Sequence, residues 1–319
     1  MIIESFLFDQ VSARGERTGA VADSGSEPVL FYRHENGQLW NGDSIAWLES
    51  LPTESVDMIF ADPPYNIKKA DWDNFESQEK YIEFSMRWIA QSARVLKPAG
   101  TLFVCGFSEI LADLKHPASR YFKSCRWIVW HYKNKANLGN DWGRSHESIL
   151  HFRKTKNFTF NIDSIRIPYN EHTLRYPNHP VAMTSQYGNG DNPNYKWEPH
   201  EFGAKPKDVV IVPQDFIEMP TTCNGMREKT PHPTQKPEEL LRKLILVSSN
   251  AGDTVLDPFC GSGTTPVCAE QLRRKWMACD LSPEYLEWAV DRVGSVVDWE
   301  ETKWIKHDLE NQKRRNSIR

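Results

Sequence analysis

Two strand-length apolar runs, each followed by a helical segment, occupy residues 254–293, and this alternation limits the fold more than any other feature of the sequence. The runs TVLDPF (254–259) and KWMACDL (275–281) predict buried strands. The segments that follow predict helices, the second with Ser282 as its N-cap. A helix that links consecutive strands lets them pair in parallel, so this part of the chain predicts a parallel sheet.

The same alternation occurs in the first half of the chain. The run VDMIFA (56–61) predicts a strand, residues 77–96 have apolar positions at helical spacing, and TLFVCGF (101–107) predicts another buried strand. RWIVWHY (126–132) and SILHFRK (148–154) are further strand candidates. Together these runs predict an α/β fold whose mainly parallel, Rossmann-like sheet carries helices on both faces.

Changes in composition along the chain predict five segments. Residues 1–28 form a weakly ordered arm, 29–160 and 231–298 form the two halves of the α/β domain, 161–230 form an irregular insert, and 299–319 form a polar tail. A loop region as long as the insert is usually functional or disordered. The aromatic residues of the insert favour a functional role.

Bulk composition excludes several classes of protein. The chain has 319 residues, of which 39% are hydrophobic and 26% charged, as is typical of a soluble globular protein. No run approaches the ~18 apolar residues of a membrane-spanning helix, and the acidic N-terminus MIIESFLFDQ does not resemble a signal peptide. The six cysteines have no CxxC spacing, so we expect a cytoplasmic protein with no disulfide framework and no metal.

Charge is distributed unevenly along the sequence. The formal net charge of −4 argues against a nucleic-acid partner. Residues 1–84, however, hold 6 Lys/Arg and 16 Asp/Glu, a net of −10, whereas residues 115–175 hold 12 Lys/Arg and 4 Asp/Glu, a net of +8. The basic segment is a candidate phosphate-binding surface, and a solvated surface of mixed charge is the alternative.

A glycine-rich turn, LDPFCGSGTT (256–265), lies between a predicted strand and a predicted helix. Gly261 and Gly263 let the backbone approach a ligand closely. Asp280 ends the next predicted strand, where a carboxylate can accept hydrogen bonds from ribose hydroxyls. The unit therefore predicts a nucleoside site, and a tight turn with no ligand is the alternative.

Two residues of the turn favour one kind of nucleoside. A dinucleotide site needs a third glycine for its pyrophosphate, but Pro266 occupies that position. Asp257 precedes the turn, and a carboxylate there suits a cationic group better than a phosphate. An adenosyl sulfonium with an amino-acid tail fits both observations.

The element ADPPYN (61–66) follows the apolar run VDMIF and so lies at the carboxyl end of a predicted strand, where ligands of open α/β sheets bind. The Asp62 carboxylate and the Pro63 carbonyl could accept both N–H bonds of an exocyclic amine on a base. That would localise the nitrogen lone pair for attack on an activated methyl group, with Tyr65 stacked on the base. A base inside a duplex would have to flip out, and a simple strand-ending turn is the alternative.

These motifs together resemble those of a known family. DPPY (62–65), GRSHESILHFRKTKNFTFN (143–161), HPTQKP (232–237) and FCGSGTT (259–265) occur in an order that resembles the β group of amino-group DNA methyltransferases, which use S-adenosyl-L-methionine. DPPYNIKKADWD in particular is similar to the adenine-N6 members of that group. The resemblance covers roughly 30–160 and 230–295.

The resemblance implies a role for each matching residue. The catalytic loop would consist of Asp62, Pro63, Pro64 and Tyr65. The cofactor site would consist of Asp43, Asp62, Pro63, Lys236, Asp257, Phe259, Gly261, Ser262, Gly263, Thr264 and Asp280. Asp280 would bind the cofactor ribose, Lys236 would lie near the methionine carboxylate, and Asp43 would face the adenine.

Some of these roles have alternatives in the sequence itself. Lys236 could be a solvated lysine ahead of a helix, and Asp43 could be a turn or cap residue. For Arg144, His146 and Glu147 we favour structural roles over contacts with DNA.

The resemblance also implies partners. The substrate would be double-stranded DNA, read by the insert at 161–230 and held at its phosphates by the basic segment 115–175. A homodimer and a cognate restriction endonuclease are further partners that the family allows.

Other activities fit the sequence less well. Cytosine-N4 methylation uses the same nitrogen chemistry, but those enzymes more often carry Ser in place of Asp62, so we favour adenine. Carbon-5 cytosine methylation uses a Pro-Cys pair, which the sequence lacks. An RNA methylase, a catalytically silent nucleic-acid-binding module and an NAD-dependent oxidoreductase remain weaker alternatives.

Overall fold

The computed structural model describes residues 15–23, 25–68, 73–132, 140, 142–169, 171–175, 198–211 and 228–296. The polar tail expected over 299–319 lies outside the described residues. So do much of the N-terminal arm and much of the insert expected over 161–230. All candidate catalytic and cofactor residues lie within the described residues.

One mixed sheet forms the centre of the described structure. Its strands are β1 (Glu16–Arg17), β2 (Val29–His34), β3 (Gly37–Asn41), β4 (Val56–Ala61), β5 (Leu96–Gly106), β6 (Ser124–His131), β7 (His146–Arg153), β8 (Val209–Ile211), β9 (Thr254–Asp257) and β10 (Lys275–Asp280). Across the sheet the order is β1-β2-β3-β10-β9-β4-β5-β7-β6-β8.

Parallel strands make up the middle of this sheet. β3, β10, β9, β4 and β5 pair in parallel, as strands linked through helices do. β7 pairs antiparallel with β5 and β6, and β2 pairs antiparallel with β1 and β3. The Rossmann-like α/β fold is confirmed, with antiparallel strands added on both sides of its parallel centre.

Helices cover both faces of the sheet, as predicted. They are α1 (Ser44–Ser50), α2 (Gln78–Val95), α3 (Ser108–Ala118), α4 (Glu171–Arg175), α5 (Glu238–Ser248), α6 (Thr264–Gln271) and α7 (Pro283–Gly294). One hydrophobic core contains residues of α1, α2 and α3, such as Trp47 and Trp88. The other contains residues of α5, α6 and α7, such as Leu241 and Ala289. Among the described helices, none is long and apolar enough to cross a membrane.

The junction between α2 and β5 differs from the prediction in one respect. The strand begins directly after the helix, at Leu96, rather than at residue 101. Its pairing with β4 moves from Val56↔Leu96 to Met58↔Thr101, so that residues 97–100 form a bulge. Pro98, which has no N–H to donate to a ladder, lies inside the bulge.

The chain reverses its direction of travel across the sheet between β4 and β9. From β4 it passes through α2 to β5 on one side, whereas from β9 it passes through α6 to β10 on the other side. β4 and β9 are neighbours, with Met58 paired to Val255 and Ile59 to Leu256. Such a switch point leaves a crevice at the carboxyl ends of the two strands, where ligands bind in α/β proteins.

Part of the expected N-terminal arm belongs to the sheet. Glu16 and Arg17 pair with β2. The Arg17 guanidinium also forms ion pairs with Glu287, at 3.1 Å, and Asp291, at 2.9 Å, on α7. Backbone pairing therefore fixes this segment, since exposed ion pairs contribute little stability.

Candidate active site

The DPPY loop leaves the carboxyl end of β4 and enters the crevice. The Tyr65 hydroxyl donates a hydrogen bond to Asp62 Oδ1 at 2.5 Å, which ties the first and last residues of the motif together. The Tyr65 ring packs edge-on against Phe107, with 5.1 Å between ring centroids. Burial, and then the Asp62 charge, raise the pKa of Tyr65 well above its usual value, so the hydroxyl stays protonated and remains a donor.

Asp73 fixes the far side of this loop. Its carboxylate accepts backbone N–H bonds from Tyr65 at 2.6 Å, Asn66 at 2.7 Å and Ile67 at 3.2 Å. The residue is only 2% exposed. Such charge-assisted bonds are about twice as strong as neutral ones, so Asp73 holds the loop in one conformation. Asp73 was not predicted as a site residue, although it ends the quoted motif DPPYNIKKADWD, which was the signal that could have identified it.

Lys236 brings the HPTQKP segment to the DPPY loop. Its ammonium donates to Asp62 Oδ2 and lies 3.9 Å from Glu147 Oε2 on β7. Burial alone would lower the pKa of Lys236, but the neighbouring acidic groups, first Asp62 and then Cys105 and Glu147, together raise it well above its usual value. Lys236 is therefore a buried, charged residue of the site and not a solvated lysine.

The glycine turn follows β9 and opens α6. Gly261 has a φ of +50°, and a Cβ added there would lie 2.8 Å from His232 Nε2. Its backbone N–H donates to Asp280 Oδ2 at 2.7 Å. Gly263 has a φ of +78°, and a Cβ added there would lie 2.6 Å from the Ala289 Cβ of α7. Only glycine fits at either position without movement of its neighbours.

Asp257 and Asp280 end the neighbouring strands β9 and β10 inside the crevice. Asp257 accepts hydrogen bonds from the Thr265 hydroxyl at 2.5 Å and the Phe259 N–H at 3.0 Å. Burial raises the pKa of Asp257 to about 7 and that of Asp280 to about 6, because an ionised carboxylate loses its hydration there. The two sites therefore favour a ligand that brings positive charge or hydrogen-bond donors.

One cavity of about 470 Å³ connects these elements. The predicted residues that line it are Asp43, Asp62, Pro64, Lys236, Asp257, Phe259, Gly261, Ser262, Thr264 and Asp280. Pro63, Tyr65 and Gly263 are not part of the lining: Tyr65 supports Asp62, and Gly263 packs against α7. The volume is typical of a small-molecule site.

Aromatic rings form one wall of this cavity. Phe60, Phe75, Phe84 and Phe259 line it, and Phe259 packs edge-on against Trp88 with 5.3 Å between ring centroids. The cavity lining thus combines flat apolar rings with carboxylates, a combination that suits a nucleoside. The sequence analysis identified Phe259 but missed Phe75 and Phe84, which come from the segment leading into α2 and from α2 itself.

Asp43 has the capping role that the sequence allowed and also lies on the cavity wall, while its contact with a cofactor adenine stays a prediction. Its carboxylate caps α1 by accepting from the N–H groups of Ile45, at 3.0 Å, and Ala46, at 2.9 Å. It also lines the cavity. A capping residue of this kind stabilises a helix by about 1 kcal/mol, so Asp43 would contribute to stability even without a ligand.

His232 is a further residue that the sequence analysis did not single out. It lines the cavity beside Gly261 and packs edge-on against Tyr285, with 4.5 Å between ring centroids. Burial lowers the pKa of His232 to about 4, so the imidazole is neutral at pH 7. It belongs to the quoted HPTQKP segment, which was the signal that could have identified it.

The basic segment 115–175 does not form one surface around the cavity. Glu147 of β7 lies at the carboxyl edge of the parallel strands, but Arg153 lies at the opposite edge, paired with Thr101. Six strand residues separate the two positions, roughly 20 Å. Lys154 is at that far edge too, bound to Glu54 at 3.3 Å. That the segment holds DNA phosphates stays a prediction, but its basic residues are divided between the two edges of the sheet, because β7 runs antiparallel to its neighbours.

At the carboxyl edge, Arg144 lies over the ring of Phe107, 3.8 Å from its centroid, and pairs with Glu109 at 2.7 Å. These contacts agree with the structural role we favour for it. Within the described ranges, no group of three or more His, Cys, Asp and Glu side chains could hold a metal ion.

Comparison with known proteins identifies the family. A family model described as DNA methylase, of the N6/N4 type, matches residues 56–291, which include the DPPY loop, Lys236 and the glycine turn. The chain belongs to this family of DNA methylases. The resemblance that the motifs indicated is thereby confirmed.

Two relatives of this methylase illustrate the range of similarity. The Type II methyltransferase M.HpaI of Haemophilus parainfluenzae is 36% identical over 260 residues, 79% of this chain and 73% of the relative. The DNA adenine methyltransferase YhdJ of Escherichia coli (strain K12) is 34% identical over 293 residues, 89% of this chain and 92% of the relative.

Solved structures agree with the fold of the methylase. The PvuII DNA methyltransferase, which is cytosine-N4-specific, superposes with a TM-score of 0.60 at 19% identity and covers 92% of this chain and 97% of its own. Two further structures of similar fold are complexes with S-adenosyl-L-methionine. At such low identity these structures support the fold and leave the target base open.

Proposed function

We propose that this DNA methylase transfers a methyl group from S-adenosyl-L-methionine to the exocyclic N6 of an adenine that is flipped out of double-stranded DNA. The observation that carries the proposal is the position of the Asp62 carboxylate. It lies at the carboxyl end of β4, on the wall of the same cavity that the glycine turn and Asp280 enclose. An acceptor for an amine and a nucleoside site thus share one crevice.

The chemistry of the cavity fits the cofactor. Asp280 would accept hydrogen bonds from the ribose hydroxyls, the rings of Phe75, Phe84 and Phe259 would enclose the adenine, and Asp257 would face the cationic end. S-adenosyl-L-methionine supplies a methyl group activated on a sulfonium. The Asp62, Asp257 and Asp280 carboxylates that line the cavity would stabilise that positive charge.

The backbone of the glycine turn would support the same ligand. Gly261 allows close approach, and Ser262 and Thr264 lie beside it in the lining. Arg292 of α7 donates to the Ser262 carbonyl at 2.9 Å and to the Thr264 hydroxyl at 3.0 Å, which fixes both residues. Asp43 would lie on the adenine side, and Lys236 would lie near the methionine end together with Asp62.

Asp62 and Pro63 would act on the target amine. Asp62 and the Pro63 carbonyl would each accept one N–H bond of N6, so that the nitrogen lone pair is no longer delocalised into the ring. The N6 lone pair would then form the new N–C bond as the S–C bond breaks and its electron pair stays on sulfur. The cationic nitrogen would then pass one N–H proton to the Asp62 carboxylate that accepts from it, which restores the neutral amine.

Tyr65 would serve this step in two ways. Its hydroxyl already holds Asp62 Oδ1, so the carboxylate cannot rotate freely. Its ring, packed on Phe107, would offer one face to the flipped base. Stacking of a base on an aromatic side chain is worth about 1–3 kcal/mol, which would offset part of the cost of flipping.

Two observations favour adenine over cytosine as the target. Asp62 occupies the first position of the tetrapeptide, where cytosine-N4 enzymes more often carry Ser. The relative YhdJ, which this chain matches over 89% of its length, is named as an adenine methyltransferase. Cytosine-N4 methylation is the second candidate, since the PvuII enzyme of similar fold has that specificity.

The names of the relatives also support a proposal about the biological role of the enzyme. M.HpaI is named a Type II methyltransferase, which supports a site-specific enzyme with a cognate restriction endonuclease. The region 161–230 would read the DNA sequence. A homodimer is a further proposal that oligomer measurements can test.

Transfer to mixed genomic DNA tests the proposed activity. The protein is incubated with tritiated S-adenosyl-L-methionine and DNA, and the DNA is digested to nucleosides. We expect label in N6-methyl-2′-deoxyadenosine, no transfer by Asp62→Ala, and normal transfer by Asp291→Ala, an exposed acid on α7. Label in N4-methyl-2′-deoxycytidine would change the target base. An absence of label from protein that binds the cofactor would overturn the activity itself.

A further inference from the structure

Both oxygens of Asp62 are engaged in this structure. Oδ1 accepts from the Tyr65 hydroxyl and Oδ2 accepts from the Lys236 ammonium. The proposed reaction requires an Asp62 oxygen to accept from N6 of the target base. Positive charge develops on that nitrogen during attack, and an ammonium on the same carboxylate would repel it. Each Asp62 oxygen could accept a second hydrogen bond, but the nearby ammonium would oppose the developing charge, so release of Lys236 from Asp62 would favour the reaction.

Lys236 cannot leave this contact for water. The residue is 8% exposed, and a buried ammonium without an anionic partner is strongly destabilising. A second buried carboxylate within reach would let the ammonium move without losing an ion pair.

Glu147 is such a carboxylate. Its Oε2 lies 3.9 Å from Lys236 Nζ, and the residue is 7% exposed. Pairing of β7 with β6 fixes its backbone opposite Trp130. The Cys105 thiol donates to the same Oε2 at 3.7 Å. A thiol is a weak donor, so this oxygen retains capacity for an ammonium.

We propose that Glu147 is a positioning residue that receives the Lys236 ammonium when the target amine binds to Asp62. The proposal rests on the proposed methyl transfer. Lys236 moves from the Asp62 carboxylate to the Glu147 carboxylate. Only when it pairs with Glu147 can Asp62 accept from the target amine without a competing cation. No charge has to enter or leave the site for this exchange.

Glu147→Gln tests the proposal because it keeps the shape of the side chain and removes the charge. We expect single-turnover methyl transfer to genomic DNA to fall at least tenfold, since Lys236 then stays on Asp62. We expect the affinity for S-adenosylhomocysteine to stay within twofold of the wild type. Glu147→Asp should recover part of the rate. The matched control is Ser148→Ala, a buried neighbour on β7 that bonds Trp127 at 2.9 Å and should transfer at the wild-type rate.

A second variant separates this role from a structural one. In a Lys236→Met background, Glu147→Gln should change the transfer rate by less than twofold, because no ammonium remains to be moved. If that background is too slow to measure, urea unfolding gives the same comparison. Glu147→Gln should then raise the free energy of unfolding in the Lys236→Met protein, by relieving repulsion from Asp62, and lower it in the wild type.

Three results would overturn the assignment. The first is Glu147→Gln transferring at the wild-type rate, which would mean that another anion, such as the cofactor carboxylate, receives Lys236. The second is an undiminished effect of Glu147→Gln on rate in the Lys236→Met background. The third is a change in unfolding free energy of the same sign in both backgrounds. If the wild type transfers no methyl group to DNA, the proposed function fails instead.

Discussion

At the scale of single residues, buried charges determine what the cavity can bind. Asp62, Asp257 and Asp280 line it, and among the other lining residues Lys236 contributes a positive charge. Burial raises the pKa of both Asp257 and Asp280, so the protein without a ligand is strained electrostatically. A cationic ligand removes that strain, which links the stability of the fold to cofactor binding.

The pH dependence of stability should report on Asp257. Its pKa is about 7 in the folded protein and 3.8 in the reference state, so the folded state binds more protons between these values and loses stability as pH rises. Asp257→Asn removes this loss. Its free energy of unfolding relative to the wild type should therefore increase from pH 5 to pH 8, by about 2 kcal/mol. Urea unfolding of the ligand-free protein measures it, and Asp291→Asn is the control. An equal difference at both pH values would contradict the assignment.

The short distance between Gly261 and His232 gives a second prediction about a single residue. Gly261→Ala places a Cβ 2.8 Å from His232 Nε2 in a residue with φ of +50°. We expect the affinity for S-adenosylhomocysteine, measured by calorimetry, to fall at least tenfold. Gly252→Ala is the matched control, because Gly252 has a φ of +86° but a Cβ added there would have no atom within 4 Å. This substitution should lower the free energy of unfolding by about 1 kcal/mol and leave the affinity for S-adenosylhomocysteine unchanged. Equal losses of affinity would show that backbone strain alone is responsible.

At the scale of elements, strand ends were predictable and the contacts between distant segments were not. Asp62, Asp257 and Asp280 follow apolar runs of strand length, so their place at one edge of a parallel sheet follows from the sequence. Glu147 reaches the site because β7 pairs antiparallel with β5, a register that local patterns do not encode. Lys236 reaches Asp62 from 174 positions away in the sequence, a tertiary contact that local patterns do not encode either.

Asp73 holds the backbone of the DPPY loop in place. Asp73→Ala removes the carboxylate that accepts hydrogen bonds from the backbone N–H groups of Tyr65, Asn66 and Ile67. We expect single-turnover methyl transfer to fall ten- to a hundredfold, because catalytic geometry held less tightly costs rate. Cofactor affinity should stay within threefold. Glu83→Gln, an exposed residue on α2, serves as the control. A proportional fall in cofactor affinity would instead place Asp73 in the cofactor site.

At the scale of the whole molecule, the candidate site residues lie at one edge of the sheet and several basic residues lie at the other. The DPPY loop, the glycine turn and Glu147 meet at the carboxyl edge of the parallel strands, whereas Arg153 and Lys154 lie at the amino edge. The charge pattern along the sequence could not reveal this, because neighbours in sequence are carried to opposite edges by β7. DNA is expected to approach the carboxyl edge.

This polarity predicts how basic residues contribute to DNA affinity. Lys68 is exposed beside the DPPY loop, whereas Lys123 is exposed next to β6 at the amino edge. Lys68→Gln should weaken DNA binding several-fold and reduce its salt dependence by about one counterion. Lys123→Gln should change neither quantity. Fluorescence anisotropy with duplex DNA at several salt concentrations measures both. Equal effects of the two substitutions would contradict an approach from the carboxyl edge.

The central claim is that this methylase modifies the N6 of adenine in duplex DNA through Asp62. Single-molecule sequencing of DNA from a host that expresses the chain tests it most directly, because the method reads both the base and its sequence context. The account predicts N6-methyladenine in one short recognition sequence, and none in a host that expresses Asp62→Ala. N4-methylcytosine in place of N6-methyladenine, or the same adenine methylation from Asp62→Ala, would contradict it.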